Sequence, residues 1–286
     1  MTTESSVNKL PYESITFLRL ITSTSKSKIW LAKCVFVPND HVVVKEISLE
    51  YLAVSPHRVE HVWRERAVLD HLTRENFSKS PKLYGTTKTE KSLFFVMELV
   101  LGAPLHLHLP ISVETARKVF LQILDIVEFL HNHSIVHKDI KLANFILRES
   151  SGEIAVCDFG LSSIISDLSP IDCSCGTTHT KAPETQVSLS SDFFSLGILL
   201  YELLAGWKNF SDSFSLDLDS LNNLPEAMDL ISQLTCLDVS TRLSNFTAIR
   251  KHPFLQSLST SSPIITDSCL AYQFIFGREK SPLDDF

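Results

Sequence analysis

Apolar positions divide the chain into a strand-rich first part and a helix-rich second part. Four stretches before Ser112 are rich in β-branched and aromatic side chains, which favour strands: residues 15–21, 29–37, 41–47 and 93–99. Residues 59–72 instead space their apolar side chains with the period of a helix. We therefore predict a small β-rich unit that is interrupted by one helix.

From Ser112 onward the apolar spacing is helical. Ser112 is a candidate N-cap, because its hydroxyl can accept a hydrogen bond from an amide of the first turn, and apolar residues follow at helical spacing as far as Leu130. Two more helices are predicted at residues 191–204 and 225–237. The predicted fold class is α+β, with a small β-rich lobe before a larger α-helical lobe.

Turn-forming residues suggest where the two lobes join. The last long strand of the first part ends before Gly102, and a proline follows closely. Residues 257–268 are dense in serine and threonine, which predicts a linker, and residues 270–276 form a short apolar tail. The predicted organisation is an N-terminal extension at 1–14, one domain at 15–255, and a linker with a tail at 256–286. Within the domain we predict an N-lobe at 15–99, a hinge at 98–103 and a C-lobe at 104–255.

Composition is that of an ordinary globular protein. The 286 residues are 44% hydrophobic and 21% charged. No apolar run approaches the roughly 20 residues that span a bilayer, and the polar start does not have the pattern of a signal sequence. We expect a soluble intracellular protein, cytoplasmic with a nuclear location as the alternative, and no membrane partner. The net charge of -7 argues against nonspecific binding to nucleic acid.

The cysteines do not form a metal-binding or disulfide pattern. No C-x-x-C pair occurs, and the spacing of the closest pair, Cys173 and Cys175, suits neither a common zinc site nor a redox site. We interpret all six as free thiols: Cys34, Cys157, Cys173, Cys175, Cys236 and Cys269.

A group of polar residues in the second part carries candidate chemistry. The chain reads HKDIKLAN at residues 137–144, DFG at 158–160 and APE at 182–184. Each motif alone is weak, but the three in this order are specific for phosphoryl transfer. That reaction needs oxygen ligands for magnesium and a carboxylate that positions the attacking hydroxyl. The residues that supply these groups are Asp139, Asn144 and Asp158.

These motifs resemble those of eukaryotic protein kinases over residues 15–255, and most of all the AGC group that includes cyclic-AMP-dependent kinase. The resemblance implies the bilobal protein-kinase fold, with ATP and Mg²⁺ as cofactors. It also implies transfer of the γ-phosphate of ATP to serine or threonine hydroxyls of a protein substrate. The expected form is a monomeric catalytic domain, and a regulatory subunit is left open.

The resemblance also assigns catalytic roles. Asp139 matches the catalytic base, Lys141 the residue that neutralises the γ-phosphate, and Thr177 a threonine that bridges these two. Asn144 and Asp158 match the two magnesium ligands.

Further residues match the nucleotide-binding and bracing positions of the family. Lys45 corresponds to the strand lysine that clamps the α- and β-phosphates, and its predicted helix partner is Glu65, with Glu60 as the alternative. The other predicted ATP contacts are Ile21, Ile29, the gatekeeper Met97, and the hinge residues Glu98 and Val100. The bracing residues are Glu184 paired with Arg242, and Asp192, which is expected to bond the backbone of the catalytic loop.

The glycine-rich loop of the family is altered in this sequence. Thr22, Thr24 and Ser27 stand where the family has glycines. Side chains restrict both the backbone geometry and its approach to phosphates, so we expect weaker ATP binding. Lys26 and Lys28 are candidates for compensating contacts.

The activation segment also departs from the pattern. Lys138 replaces the arginine whose planar fork grips an activation-segment phosphate, and Cys173 occupies the aligned phosphoacceptor position. We therefore expect activity without a phosphate there, although Ser174 and Thr178 lie close by.

A similar departure affects the residues that read the substrate. Pro104 and Ala143 replace two of the acids that bind arginine-rich substrates in the AGC group, and only Glu202 is retained. A strong preference for arginine-rich substrates is therefore not expected.

Three functional hypotheses stay open at this point. The first is an active protein kinase, the second a pseudokinase scaffold, which only the altered loop favours, and the third a small-molecule phosphotransferase. Lys141, Gly176-Thr177 and the APE motif favour a protein substrate over a small molecule.

Overall fold

The computed structural model describes residues 8–37, 41–149, 151–167, 180–206 and 216–256. Its chain divides into two compact units. Among the described residues the first unit takes 8–103 and 148–149, and the second takes 104–147 and 151–256.

The first unit is built on one antiparallel sheet of five strands. They lie in the order β1-β2-β3-β5-β4. The sheet and its two helices comprise β1 (Ile15–Ser23), β2 (Ser27–Cys34), β3 (His41–Ser48), α1 (Leu49–Ala53), α2 (Pro56–Arg74), β4 (Leu83–Lys88) and β5 (Ser92–Glu98). Val42 and Val44 alternate along β3 with less buried side chains, and both pack into the core of this sheet.

The second unit is mainly helical. A short strand, β6 (Gly102–Pro104), lies where the chain passes from one unit to the other. The remaining elements are α3 (Val113–Asn132), β7 (Ile135–Val136), β8 (Phe145–Arg148), β9 (Ile154–Val156), β10 (Ser163–Ile164), α4 (Leu189–Ala205), α5 (Pro225–Leu234), α6 (Phe246–Arg250) and α7 (Pro253–Gln256). The predicted α+β class is confirmed.

Two long helices of this unit begin at capping residues. The hydroxyl of Ser112 accepts the amide of Thr115 at 3.1 Å, as its sequence position predicted. Ser188 and Ser191 form a reciprocal capping box at the start of α4. Most of α4 is buried, which explains why its sequence is apolar on every side.

The observed bounds correct several predicted ones. The helix predicted at 225–237 ends at Leu234, and the amide and the hydroxyl of Thr235 both donate to the Ile231 carbonyl at 2.8 Å. The strand predicted at 29–37 runs from Ser27 to Cys34 instead. The sequence reading missed β4, α1, α6 and α7 altogether.

Several predictions fall outside the described residues, among them the tail at 270–276. Among the described cysteines, Cys34, Cys157 and Cys236 are free thiols, and the other three lie outside that part of the chain. No helix in the described ranges has both the length and the apolar character to cross a bilayer.

A short N-terminal segment binds to the free edge of β4. The amide of Leu10 donates to the Thr86 carbonyl and the amide of Thr86 donates to the Asn8 carbonyl, both at 3.0 Å. Gly85 lies under this segment, where a Cβ atom would come within 2.5 Å of the Asn8 carbonyl oxygen and 2.8 Å of the Leu10 side chain. Glycine therefore allows the close approach of the two backbones.

We predict that Gly85→Ala lowers the free energy of unfolding by about 1–3 kcal/mol, the usual range for overpacking. The added methyl group must displace the backbone of Asn8. Urea unfolding of the full chain measures the change.

The matched control is the same substitution in a chain that lacks residues 1–10. There the methyl group meets no segment, so the cost should disappear. An equal cost in both chains would contradict the explanation.

Candidate active site

The first unit contains an ion pair between a strand lysine and a helix glutamate. The Nζ atom of Lys45, in β3, lies 2.5 Å from Oε1 of Glu65, in α2, and the two side chains are only 13% and 5% exposed. Glu60 instead pairs with Arg64 at 2.6 Å and is 47% exposed. The structure thus brings Glu65, and not the alternative Glu60, to the strand lysine.

Ile21 and Ile29 lie on the first two strands beside an irregularity. Pairing between β1 and β2 passes from Leu20↔Trp30 to Thr22↔Ile29, so that Ile21 is the extra residue of a bulge. A bulge re-aims the side chains around it, and bulges are frequent beside binding sites.

The segment after β5 offers backbone groups that a planar base can use. The amide of Glu98 is taken, because it donates to the Lys82 carbonyl at 2.9 Å. Within the described ranges the backbone of Val100 takes part in no hydrogen bond, and its side chain is buried. Met97 lies just before, in β5, and is also buried. These properties fit the predicted gatekeeper and hinge positions.

In the second unit, the carboxylate of Asp139 is held from two sides. The ammonium group of Lys141 lies 2.7 Å from Oδ2 of Asp139. The side-chain amide of Asn144 donates to the same Oδ2 at 2.9 Å and to the Asp139 carbonyl at 2.8 Å. The carboxylate therefore has a fixed direction, which a group that orients a substrate hydroxyl requires.

The two predicted magnesium ligands come together through strand pairing. β8 and β9 pair with Phe145 opposite Val156. One residue further, the amide and the thiol of Cys157 donate to the Asn144 carbonyl at 3.0 and 3.2 Å. Asp158 therefore follows directly on the residue that lies against Asn144.

The donor set at this place fits Mg²⁺. The side-chain nitrogen of Asn144 is directed at Asp139, so its side-chain oxygen points away from that residue. Together with the carboxylate of Asp158 it supplies the hard oxygen ligands that Mg²⁺ prefers. One oxygen of Asp158 also accepts the Gly160 amide at 2.9 Å, which orients the carboxylate.

A buried aspartate of α4 holds the start of the catalytic loop. Asp192 is fully buried, and its carboxylate accepts the backbone amides of His137 and Lys138 and the ring Nε2–H of His131, each at 2.9 Å. Burial alone would raise the pKa of Asp192, but the hydrogen bonds that its carboxylate accepts bring the pKa below its ordinary value. This is the contact that the resemblance assigned to Asp192.

His137 is a buried neutral ring in the same loop. Burial lowers its pKa, and this outweighs the opposing effect of the aspartates around it. Its Nδ1 accepts the amide of Asp139 at 3.2 Å, and its ring lies against Phe145 and Phe159. The ring of His137 therefore helps to position the loop through packing and through its hydrogen bond with the Asp139 amide.

The ammonium group of Lys138 has a partner inside the protein. It donates to the hydroxyl of Ser163 at 2.7 Å, and both residues are buried. Ser163 reaches this place because β10 pairs with β7, with Ser163 opposite Val136. No local sequence pattern indicates this contact, because 25 positions separate the two residues along the chain.

The predicted brace between Glu184 and Arg242 is a two-pronged ion pair. Its two hydrogen bonds measure 2.8 and 2.9 Å, and Ser191 adds a third bond to the glutamate at 2.9 Å. Burial would raise the pKa of Glu184, but these bonds bring the pKa below its ordinary value.

Glu202 is the one acid retained from the set that binds arginine-rich substrates in the AGC group, and its environment does not suit that role. Its side chain is buried, and burial raises its pKa to about 7 in spite of a bond from the Leu142 amide and the nearby charge of Lys141. A buried carboxyl that is half protonated near neutral pH is poorly suited to bind an arginine of a substrate. The contact with Leu142 instead joins α4 to the 3₁₀ turn Leu142–Asn144 of the catalytic loop.

Residues 168–179 of the activation segment, which runs from the DFG motif to the APE motif, lie outside the described ranges. This applies to the predicted bridging residue Thr177 and to the phosphoacceptor candidates Cys173, Ser174 and Thr178.

Comparison with known proteins gives the family. Residues 31–255 match the protein kinase domain. The chain therefore belongs to the protein kinase domain family, and the predicted bilobal kinase fold is confirmed.

Individual relatives are protein kinases from a slime mould and a plant. The chain is 31% identical to myosin light chain kinase A of Dictyostelium discoideum over 237 residues, which cover 74% of this chain and 79% of that protein. It is 29% identical to CBL-interacting serine/threonine-protein kinase 5 of Arabidopsis thaliana, covering 83% of this chain and 57% of that protein. It is 31% identical to the SNF1-related protein kinase catalytic subunit alpha KIN12 of the same plant, and the matched region covers 68% of this chain and 42% of that protein. The chain thus spans only about half the length of the plant relatives.

The narrower resemblance to the AGC group is not supported. These relatives are kinases of the CAMK type. The catalytic motifs from which we inferred the AGC group do not distinguish it from the CAMK group.

We predict that Glu202→Gln removes part of the pH dependence of stability. The pKa of Glu202 is about 7 in the folded protein, against an ordinary value of 4.5. Between these two pH values the folded protein therefore holds a proton at Glu202 that the unfolded chain has lost. The free energy of unfolding of the parent should therefore fall as pH rises through this window, by about 3 kcal/mol relative to the variant. Urea unfolding at pH 5 and pH 8 measures the difference.

Glu153→Gln is the matched control, because it makes the same change at an exposed position of the same unit. It should leave the pH profile of the parent unaltered. A parallel profile for parent and Glu202→Gln would show that Glu202 titrates normally.

Proposed function

We propose that this chain transfers the γ-phosphate of ATP to serine or threonine hydroxyls of a protein. The observation that carries the proposal is the arrangement around Asp139, whose carboxylate is fixed by Lys141 and Asn144 in a loop anchored on Asp192. Membership of the protein kinase domain family supports the reaction class.

The second unit supplies the groups that act on the acceptor. Asp139 orients the acceptor hydroxyl and takes its proton at the carboxylate. The acceptor oxygen forms a bond to the γ-phosphorus of ATP as the bond from that phosphorus to the β,γ-bridging oxygen breaks, and ADP leaves. Lys141, which already lies against Asp139, offsets negative charge on the transferred group. Thr177 is assigned by the resemblance to hold these two residues together.

A further set of residues is proposed to hold the nucleotide. Asn144 and Asp158 are the proposed ligands of Mg²⁺, which neutralises phosphate charge when it is bound. Lys45 binds the α- and β-phosphates, and Glu65 keeps its ammonium group in position. Ile21, Ile29, Met97 and the backbone from Glu98 to Val100 are proposed to hold the adenine.

The pseudokinase alternative rests on the altered loop alone. Chains that only serve as scaffolds have no need to keep the charged groups of phosphoryl transfer in place. Here Lys45 is paired with Glu65, and Asp139 with Lys141. The proposal of an active enzyme accounts for these contacts, and the scaffold hypothesis leaves them without a reason.

The proposed partners are a protein substrate and, through regulation, a second protein. The name of the Arabidopsis relative refers to a partner, CBL, which supports a regulatory protein for this chain. The burial of Glu202 supports substrates without a strong preference for arginine. We propose an intracellular, cytoplasmic enzyme with no nucleic-acid partner, in keeping with the net charge of -7.

We predict that Asp139→Asn lowers kcat by several orders of magnitude and leaves the KM for ATP within about threefold, because the base acts in the transition state. A radiolabelled-ATP assay on an arrayed peptide library finds a substrate and then measures both constants.

Asp219→Asn makes the same change at an exposed aspartate and should keep the parent rate. If Asp139→Asn is folded and as fast as the parent, Asp139 is not the base.

We also predict that the dephosphorylated enzyme stays active, with a rate within about twofold of the untreated enzyme. Lys138 already has Ser163 as its partner, so no phosphate is needed to stabilise its buried charge. Intact mass and the peptide assay are measured before and after phosphatase treatment. Loss of activity that follows the loss of a phosphate from Ser174 or Thr178 would contradict this.

A further inference from the structure

The turn between β1 and β2 is closed by one threonine side chain. The amide of Thr24 donates to the Ser27 carbonyl at 2.9 Å. Its hydroxyl oxygen accepts the amides of Lys26 at 3.2 Å and of Ser27 at 3.1 Å, and the hydroxyl donates to the Ser27 carbonyl at 3.2 Å. Two backbone amides at the tip of this turn are therefore bound within the turn itself.

The same arrangement occurs in a second hairpin of the protein. The turn between β4 and β5 begins at Thr89, whose oxygen accepts the amides of Lys91 at 3.3 Å and of Ser92 at 3.1 Å. Its amide also donates to the Ser92 carbonyl at 2.9 Å. The sequences match as well, since residues 24–27 read TSKS and residues 89–92 read TEKS. The β1–β2 turn is thus built like a hairpin turn that has no part in the proposed reaction.

A physical reason explains why the threonine is needed. Tight hairpin turns usually place their central residues in the left-handed region, which favours glycine or asparagine. The chain reverses here through Ser25 and Lys26, and neither is among the described residues with positive φ. The Thr24 side chain supplies the hydrogen bonds that stabilise the turn in their place.

This turn occupies the position at which the family carries its glycine-rich loop. Loops of that kind bind phosphates because their backbone N–H groups point at the anion. We propose that Thr24 withholds the amides of Lys26 and Ser27 from the phosphates of ATP, so that this one side chain sets the nucleotide affinity. The inference rests on the proposed function and goes beyond it, because it identifies a hydroxyl within the chain as a competitor of the nucleotide.

The decisive variant is Thr24→Val, which keeps the shape of the side chain and removes the oxygen. Amides released from Thr24 can bind phosphate, and a hydrogen bond to a charged group of that kind corresponds to about a tenfold change in affinity. We expect the KM for ATP and the calorimetric Kd for ATP with magnesium to fall about tenfold. The affinity for adenosine, which has no phosphate, should stay as in the parent.

Three further variants separate this effect from its alternatives. Thr24→Ser retains the oxygen and should bind ATP as weakly as the parent. Thr89→Val removes the same bonds from the β4–β5 turn, so it should cost similar stability with no change in ATP affinity. Ser25→Gly adds a glycine to the loop without releasing the amides, and it should also leave ATP affinity unchanged.

The outcomes also separate this inference from the proposed function. If the parent binds ATP and transfers no phosphate to any protein or peptide, the proposed kinase activity is refuted. The ratio of the ATP affinities of Thr24→Val and the parent would still decide the role of Thr24. Tighter ATP binding by Thr24→Val alone supports the inference. Equal or weaker binding by that variant, or an equal gain in Ser25→Gly, overturns it.

Discussion

The hydrogen bonds of Asp192 are the contacts on which the catalytic loop depends. A fully buried carboxylate is costly unless donors surround it, and Asp192 has three at 2.9 Å: two loop amides and the ring of His131. One of these amides belongs to Lys138, whose φ of 66° is unusual for a residue with a side chain. The anchor on α4 is what stabilises that conformation. The direction of Asp139, the next residue, follows from it.

The loop beyond this anchor has a defined pattern of charge. The lowered pKa of His137 keeps its ring neutral. In the described part of this loop, residues 137–144, the cationic groups are the ammonium groups of Lys138 and Lys141. Lys141 lies against Asp139, and Lys138 against Ser163. The ion pair of Lys141 and Asp139 is already oriented, so it needs little reorganisation during phosphoryl transfer, which is how preorganised sites lower a barrier.

Elements that depend on neighbouring residues are predictable from the sequence. Elements that depend on contacts between distant parts of the chain are not. Ser112 was recognisable as a cap because the cap and its amide are neighbours in the chain. β4 was missed because its sequence, LYGTTK, has few apolar side chains, and its strand character comes from pairing with β5 and the N-terminal segment. Site residues were recognisable from motifs, whereas Ser163 was not, because only the pairing of two short strands brings it to Lys138.

The two departures from the family pattern share one chemical feature. In both cases the resemblance implies a donor that binds phosphate, and in this chain a hydroxyl accepts from that donor instead. The hydroxyl of Thr24 accepts backbone amides of the β1–β2 turn, and the hydroxyl of Ser163 accepts from the ammonium group of Lys138. A neutral hydroxyl stabilises such a donor less than a phosphate does, but it is always present. A bound ligand adds to the stability of a fold by an amount that grows with the logarithm of its concentration over its Kd, so weaker ATP binding would add less stability. At both places a hydrogen bond within the chain occupies donors that the resemblance assigns to phosphate.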